Sequence, residues 1–361
     1  MTSNIRTIFS ATGRYVPGHK VSNADFLSNV FHDSTGSVID KENTEIIEKF
    51  ELITEIAERR YADGTQVTSD LATEAALDAL ESSGIDKESL DYIIVAHNFG
   101  DIRDDNRRSD LVPSLASRVK HKLGIQNPYC VAYDLPFGCP GWLQGVIQAD
   151  YFIRSGDAKK ALVIGAETLS RVCDPHDRDS MLYADGAGAT ILEAVVSDKP
   201  TGILAHLTRS DTSGHAWMLR MDKSFNGYRD GTDLFLKMDG RKLYEYALKT
   251  VPQTVKDCLD KAGIGINEVK KVLIHQANGK MDAAILDRLF ALYGIRDIPA
   301  GVMPMSISWL GNSSVATLPT LFDLILKKDM PEQSINPGDV IVFASVGAGM
   351  NINAVVYRVP E

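Results

Sequence analysis

Residues 133–146 read Tyr-Asp-Leu-Pro-Phe-Gly-Cys-Pro-Gly-Trp-Leu-Gln-Gly-Val, with Cys139 at the centre. An apolar, strand-like run from Tyr129 to Tyr133 leads in, and a helix-compatible stretch from Leu143 to Ser155 leads out. Pro140 suits a first helical turn, where a missing N–H has no intrahelical partner to lose. The pattern places Cys139 at a strand-to-helix turn, at the positive end of a helix dipole. That position is expected to lower the thiol pKa and to aim backbone N–H groups at an incoming oxygen. The alternative is a small buried hydrophobe at a turn. His275 ends the apolar run Val272-Leu-Ile and opens His-Gln-Ala-Asn. Strand ends at the carboxyl edge of a sheet bind ligands in α/β folds, although a histidine there can also be structural. Asn312 stands in Leu-Gly-Asn-Ser-Ser-Val-Ala, where asparagine alone reads as a helix cap. Ser345-Val-Gly-Ala-Gly-Met-Asn351 is a glycine-rich turn after an apolar strand, able to point N–H groups at an anion.

The elements that must position these residues occur twice. Residues 76–95 and 255–274 register without a gap at an offset of 179. Each is an amphipathic helix, a Gly-Ile stop, a polar turn and a hydrophobic strand. Ala161–Gly165 and Ile341–Ser345 form a similar pair of buried strands. The reading is a duplicated α/β unit, with halves at residues 1–198 and 199–361 packed about a pseudo-twofold axis. Cys139 belongs to the first half; His275 and Asn312 belong to the second. Alternating helices and nearly continuous apolar strands imply parallel or mixed sheets covered on both faces. Outside this frame, a short helix is expected over Asn23–Val30. Residues 33–46 and Gly100–Arg108 read as polar loops. Asp185-Gly-Ala-Gly-Ala189 reads as a tight turn, because it lacks the spacing of a dinucleotide or phosphate loop.

The chain has 361 residues, 44% apolar and 24% charged, the make-up of an ordinary globular protein. Its net charge of −10 argues against a nucleic-acid partner. No apolar run is long enough for a membrane span, and no signal-peptide core follows Met1. Cys130, Cys139, Cys173 and Cys258 fit neither a zinc pattern nor a disulfide framework, which makes a reducing cytoplasm the expected compartment.

Taken together the motifs resemble a known family. Gly138-Cys-Pro-Gly-Trp142, Asp174-Pro-His-Asp-Arg178, Asp185-Gly-Ala-Gly-Ala189, Met238-Asp-Gly-Arg241, His275-Gln-Ala-Asn278, Gly311-Asn-Ser-Ser314 and Gly347-Ala-Gly349 match, in order and spacing, the β-ketoacyl-acyl carrier protein synthase III family of the thiolase superfamily. The resemblance runs from about Ile5 to Val359. It implies the thiolase fold, with duplicated βαβαβαββ halves forming a five-layered α-β-α-β-α core, and a homodimer. It implies a Cys139-His275-Asn312 condensing enzyme without a cofactor, with an oxyanion hole from the N–H groups of Cys139 and Ala348. Acyl thioesters and acyl carrier protein are its implied substrates and partner. By the same resemblance, Arg178 matches an arginine that contacts the coenzyme A adenine, and Lys280 and Arg288 lie where the family docks its carrier. The family's second clamp on the adenine falls near Phe50–Ile53, where neither Trp nor Arg occurs, which favours an acyl-carrier donor. Pro140 replaces the usual alanine, and Ala348 replaces the middle of three glycines. Val112 stands where short-primer members carry a bulky Phe flooring the acyl tunnel across the dimer interface. The smaller side chain implies a medium, long or β-ketoacyl primer. Other readings within the fold are condensation and cyclisation of two β-ketoacyl thioesters, as in dialkylresorcinol or aryl-polyene pathways, and acyl transfer without decarboxylation. A catalytically silent lipid-binding homologue is a further reading, disfavoured by the intact Cys139, His275 and Asn312.

Overall fold

The computed structural model describes residues 4–227 and 233–361. Strands β1 (Ile5–Tyr15), β2 (Tyr92–His97), β3 (Val131–Pro136), β4 (Lys160–Thr168) and β5 (Asp185–Val196) form one sheet in the order β1-β5-β4-β2-β3. Strands β6 (Gly202–Ser210), β7 (Val269–Ile274), β8 (Val340–Gly347) and β9 (Asn351–Arg358) form a second in the order β6-β9-β8-β7. The first four strands of each sheet pair in the same senses: antiparallel, antiparallel, parallel. The first sheet adds β3, parallel to β2. At the matching edge of the second sheet, the Val272 N–H donates to the Val302 carbonyl at 2.8 Å.

The longer helices are α1 (Asn43–Thr54), α2 (Thr68–Ser83), α3 (Leu115–Lys122), α4 (Gly141–Ser155), α5 (Gly240–Ala262), α6 (Gly279–Ala291) and α7 (Thr317–Leu326). Residues 76–95 and 255–274 therefore fall on α2–β2 and α5–β7, equivalent places in the two sheets. Apolar side chains of α2 and α3 pack on the outer face of the first sheet. Those of α5 and α6 pack on the outer face of the second. Between the sheets, α4 and α7 fill the central layer. The result is the five-layered thiolase arrangement. Because both faces of each sheet are covered, Ile93, Ile94 and Val95 on β2 and Val342, Phe343 and Ala344 on β8 are all fully buried in unbroken runs. Every residue of α7 from Thr317 to Ile325 is buried, as its lack of a polar face requires. Aromatic rings bind the central layer: Phe9 meets Phe322 at 5.3 Å and Phe343 at 5.8 Å between centroids, and Trp142 meets Phe343 at 5.8 Å. Pairs in such geometries add roughly 0.5–1.5 kcal/mol each beyond the area they bury.

Several local expectations need correction. Gly100–Arg108 is no plain loop: Asp101–Arg103 pairs antiparallel with Asn106–Asp110. The helix expected over Asn23–Val30 shortens to one 3-10 turn, Asn23–Phe26. The polar stretch 33–46 ends inside α1. Asp185–Ala189 is not a turn but the start of β5. Of its two glycines Gly188 serves packing, since a Cβ there would lie 2.7 Å from the Thr320 backbone nitrogen. In the surface insertion 212–236, Leu219–Asp222 pairs with Phe235–Met238, while residues 228–232 lie outside the described residues.

Gly165, on β4, has an equally tight neighbour. A Cβ there would approach the Val315 carbonyl oxygen to 2.3 Å, and that backbone cannot yield without moving the turn after Asn312. Gly165→Ala is expected to destabilise the protein by about 1–3 kcal/mol, the usual cost of overpacking. Guanidinium unfolding measures it; an unchanged midpoint would contradict the packing described.

Candidate active site

Cys139 follows the end of β3 and stands immediately before Pro140, the N-cap of α4, which begins at Gly141. Gly138 makes the turn at φ +69°, and the Gly141 N–H closes it on the Gly138 carbonyl at 2.9 Å. Here the two halves touch backbone to backbone. A Cβ on Gly138 would lie 2.8 Å from the Ala348 nitrogen, and one on Gly347 would lie 2.6 Å from the Cys139 nitrogen. Only glycine lets the chains approach so closely. The loop after β8 continues through Gly349 at φ +77° and Met350 at φ +48°. The N–H groups of Cys139 and Ala348 thus lie on facing loops. Such a pair can receive an anionic oxygen.

Asn312 is buried at the turn between the two sheets. Its N–H donates to the Leu182 carbonyl at 2.9 Å, and its carbonyl accepts from the Ala184 N–H at 2.9 Å. The Ser314 backbone N–H donates to the Asn312 side chain at 2.9 Å, which fixes that atom as Oδ1 and leaves the amide NH2 as the donor end. Ser314 itself sits at φ +52°, an uncommon conformation for a residue with a side chain and one that clusters at functional sites. Its Oγ lies 3.2 Å from the Cys139 Sγ and accepts from the Asn98 Nδ2 at 3.1 Å. The Asn98 N–H donates to the Glu167 Oε1 at 2.7 Å, and the Asn98 Nδ2 contacts the same oxygen. Sequence reasoning missed Ser314, Asn98 and Glu167 as site residues. The signal existed in their places: Asn98 just past the end of β2, Glu167 near the end of β4, Ser314 inside a motif already singled out.

His275 follows the end of β7, and its N–H donates to the Ala344 carbonyl of β8 at 2.8 Å. Its ring is buried, and Nδ1 has no hydrogen-bond partner among the described residues. The rest of its motif is scaffold. The Gln276 Oε1 accepts from the Ser306 N–H at 2.8 Å, and the Asn278 Oδ1 accepts from the Met281 N–H at 3.1 Å to cap α6.

Loss of water sets the charges. Burial pushes the Cys139 thiol up to about 11; the Ser314 hydrogen bond pulls it down, and the Glu167 carboxyl pushes it up. The helix terminus therefore does not yield a lowered resting pKa, contrary to the expectation from the turn alone, because desolvation of the thiolate outweighs the dipole. Burial holds the Glu167 carboxyl up near 8 and brings His275 down to about 4. Near neutrality all three are uncharged. A neutral imidazole can accept the thiol proton or donate a hydrogen bond, and Cys139 keeps one face accessible.

The other expected site residues lie apart from the thiol. Arg178 is exposed at the start of a 3-10 turn capped by Asp177. The acids of its motif anchor the insertion: the buried Lys237 Nζ lies 2.9 Å from Asp177 and also pairs with Asp174, which accepts from the Phe225 N–H at 2.8 Å. Lys280 and Arg288 are both exposed on α6. Val112 lines no tunnel within its own chain. It is 86% exposed, on the arm leading to α3, where it contributes to a surface cavity with Arg103, Arg108 and Leu111.

Two sequence profiles match the chain. 3-Oxoacyl-[acyl-carrier-protein] synthase III covers residues 133–212, and the C-terminal region of the same enzyme covers 259–359. A β-ketoacyl-[acyl-carrier-protein] synthase III of Novosphingobium aromaticivorans is 33% identical over 99% of this chain and 100% of its own. The protein of that name from Erythrobacter litoralis is 32% identical over 98% and 99%. The crystal structure of 3-oxoacyl-[acyl-carrier-protein] synthase III from Aquifex aeolicus superposes with a TM-score of 0.79, at 29% identity, covering 98% of this chain and 99% of its own.

The depressed His275 pKa has a signed consequence. A histidine whose folded pKa lies below its unfolded value stabilises nothing by protonation. Its folded state is favoured fully above about pH 6.5 and loses ground as pH falls toward about 4, where the loss reaches about 3 kcal/mol. NMR titration of the His275 ring should show it neutral through pH 5; a midpoint at or above 6.5 would contradict its burial.

Proposed function

The chain belongs to the β-ketoacyl-[acyl-carrier-protein] synthase III family, and from that membership we propose that it condenses an acyl primer, carried as a thioester on Cys139, with malonyl-acyl carrier protein to give a β-ketoacyl thioester for fatty-acid or polyketide-type lipid synthesis. It is an acyltransferase by that membership. The observation that carries the finer reading is the convergence of Cys139, the facing Ala348 N–H and the oriented Asn312 amide on one junction between the halves.

In the first step the Cys139 sulfur attacks the primer thioester carbonyl. His275, neutral and buried, takes the thiol proton, because a thiol near 11 does not ionise unaided at neutral pH. The N–H groups of Cys139 and Ala348 hold the oxyanion, the donor's C–S bond breaks, and its thiol leaves with the proton. In the second step malonyl carrier enters and its C–C bond to the carboxylate breaks, releasing CO2. Charge moves to the extender's thioester oxygen, where the His275 ring N–H and the Asn312 NH2 donate. The carbanionic carbon attacks the acyl-Cys139 carbonyl, and the C–S bond to Cys139 breaks to regenerate the thiolate. Each donor of this kind is typically worth about 3 kcal/mol of barrier.

The exposed Lys280 and Arg288 give an otherwise acidic protein a basic face for an acidic carrier. Membership of the family also supports a homodimer. β3 is the open edge of the first sheet, and Tyr129, Val131, Leu111 and Val112 are exposed beside it. In that arrangement Val112 reaches the partner's acyl tunnel, and its small side chain leaves room for a medium, long or β-ketoacyl primer.

The test is intact-protein mass after incubation with a panel of acyl thioesters, followed by malonyl carrier and product analysis. A Cys139 adduct and a β-keto product are expected. Asn312→Ala should still acylate yet form product about 10²–10³-fold more slowly. An adduct discharged to an alcohol or amine, with no CO2 lost, would instead mark acyl transfer without condensation. Val112→Phe should shorten the longest accepted primer; an unchanged chain-length profile, or exclusive use of acetyl by the parent protein, would refute the role given to Val112.

A further inference from the structure

Proton accounting around Cys139 leads to one residue more. The Glu167 Oε1 accepts from the Asn98 backbone N–H; with the carboxyl proton carried on Oε2, Oε1 has only lone pairs to offer. The Asn98 side-chain atom on the same oxygen is therefore the NH2 nitrogen, and that nitrogen also reaches the Ser314 Oγ at 3.1 Å. An amide nitrogen does not accept. The Ser314 oxygen consequently receives a hydrogen there, and its own single proton is left for the one remaining contact, the Cys139 sulfur at 3.2 Å.

We propose that Ser314 is a further catalytic residue, whose hydroxyl donates to Cys139 and stabilises the thiolate, and that Asn98 and Glu167 are positioning residues that fix the direction of that donation. The inference rests on Cys139 being the nucleophile. It assigns Ser314 two tasks at once: its backbone N–H orients the Asn312 amide, and its hydroxyl serves the thiol. It also accounts for a non-glycine residue at φ +52°, since glycine would relieve the backbone but carry no hydroxyl. Among the described residues, Glu167 from β4 and the buried Tyr183 phenol act on the charge of the sulfur and neither supplies a positive charge, while His275, the proposed acceptor of the thiol proton, is itself neutral. The Ser314 hydroxyl is thus the side-chain donor that favours the ionised form.

The test measures iodoacetamide alkylation of the Cys139-containing peptide against pH, on the full chain without any acyl thioester or carrier. Absence of substrate keeps the result separate from the proposed condensation: a failed condensation assay leaves the alkylation profile readable. A hydrogen bond to a charged group is worth about 1.5–3 kcal/mol, so Ser314→Ala should raise the apparent thiol pKa by about one to two units. Below that pKa, alkylation at a given pH should slow by about ten- to a hundredfold. Ser314→Gly, which suits the positive φ and so guards against a folding defect, should give the same shift. Asn98→Ala should shift the profile in the same direction by less. A Ser314→Ala or Ser314→Gly protein that folds and keeps the parent's profile overturns the proposal.

Discussion

The structure depends on a contact in which two backbones meet with no side chain between them. Gly138-Cys139 from one half and Gly347-Ala348 from the other approach to distances that no Cβ would permit. That approach sets the spacing of the sheets at their carboxyl ends, and α4 and α7 must fill the remaining space between them. Gly165 under Val315 and Gly188 under Thr320 repeat the constraint along the central layer. The Phe9, Trp142, Phe322 and Phe343 rings then supply the bulk that glycines withhold. The polar junction is close because the apolar layer behind it is full.

The duplication was legible in the sequence because both copies keep a helix, a Gly-Ile stop and a buried strand at one offset. The sequence singled out Cys139, His275 and Asn312 for a related reason: Cys139 and His275 follow strand ends, where α/β proteins carry chemistry, and Asn312 lies in the turn leading to α7. What escaped was whatever depends on third parties. Asp185–Ala189 looks like a turn until the α7 backbone is laid across it, when the same glycines become strand residues and Gly188 comes under pressure. Gly100–Arg108 is polar on every side, so no alternation marks its hairpin. Ser314 is one of two adjacent serines, and only its left-handed backbone and its distance to Sγ single it out.

The thiol shows how a sound local rule can lose. A helix terminus does favour a thiolate, but by a fraction of what burial takes away. The imidazole obeys the same balance in the opposite direction, because its charged form is the cation. Burial thus favours a protonated thiol at Cys139 and an unprotonated imidazole at His275. Carboxyl groups are paired elsewhere. Asp174 and Asp177 hold the buried Lys237 and, through it, the surface insertion.

The uncharged state of Cys139, His275 and Glu167 near neutrality bears on whatever enters. A carboxylate brought into such surroundings sheds hydration and meets no counter-ion among these groups. It becomes the least comfortable species present, whereas carbon dioxide carries no charge and leaves without that penalty. In the proposed condensation the surroundings of the thiol thus disfavour the extender's carboxylate relative to the carbon dioxide it becomes.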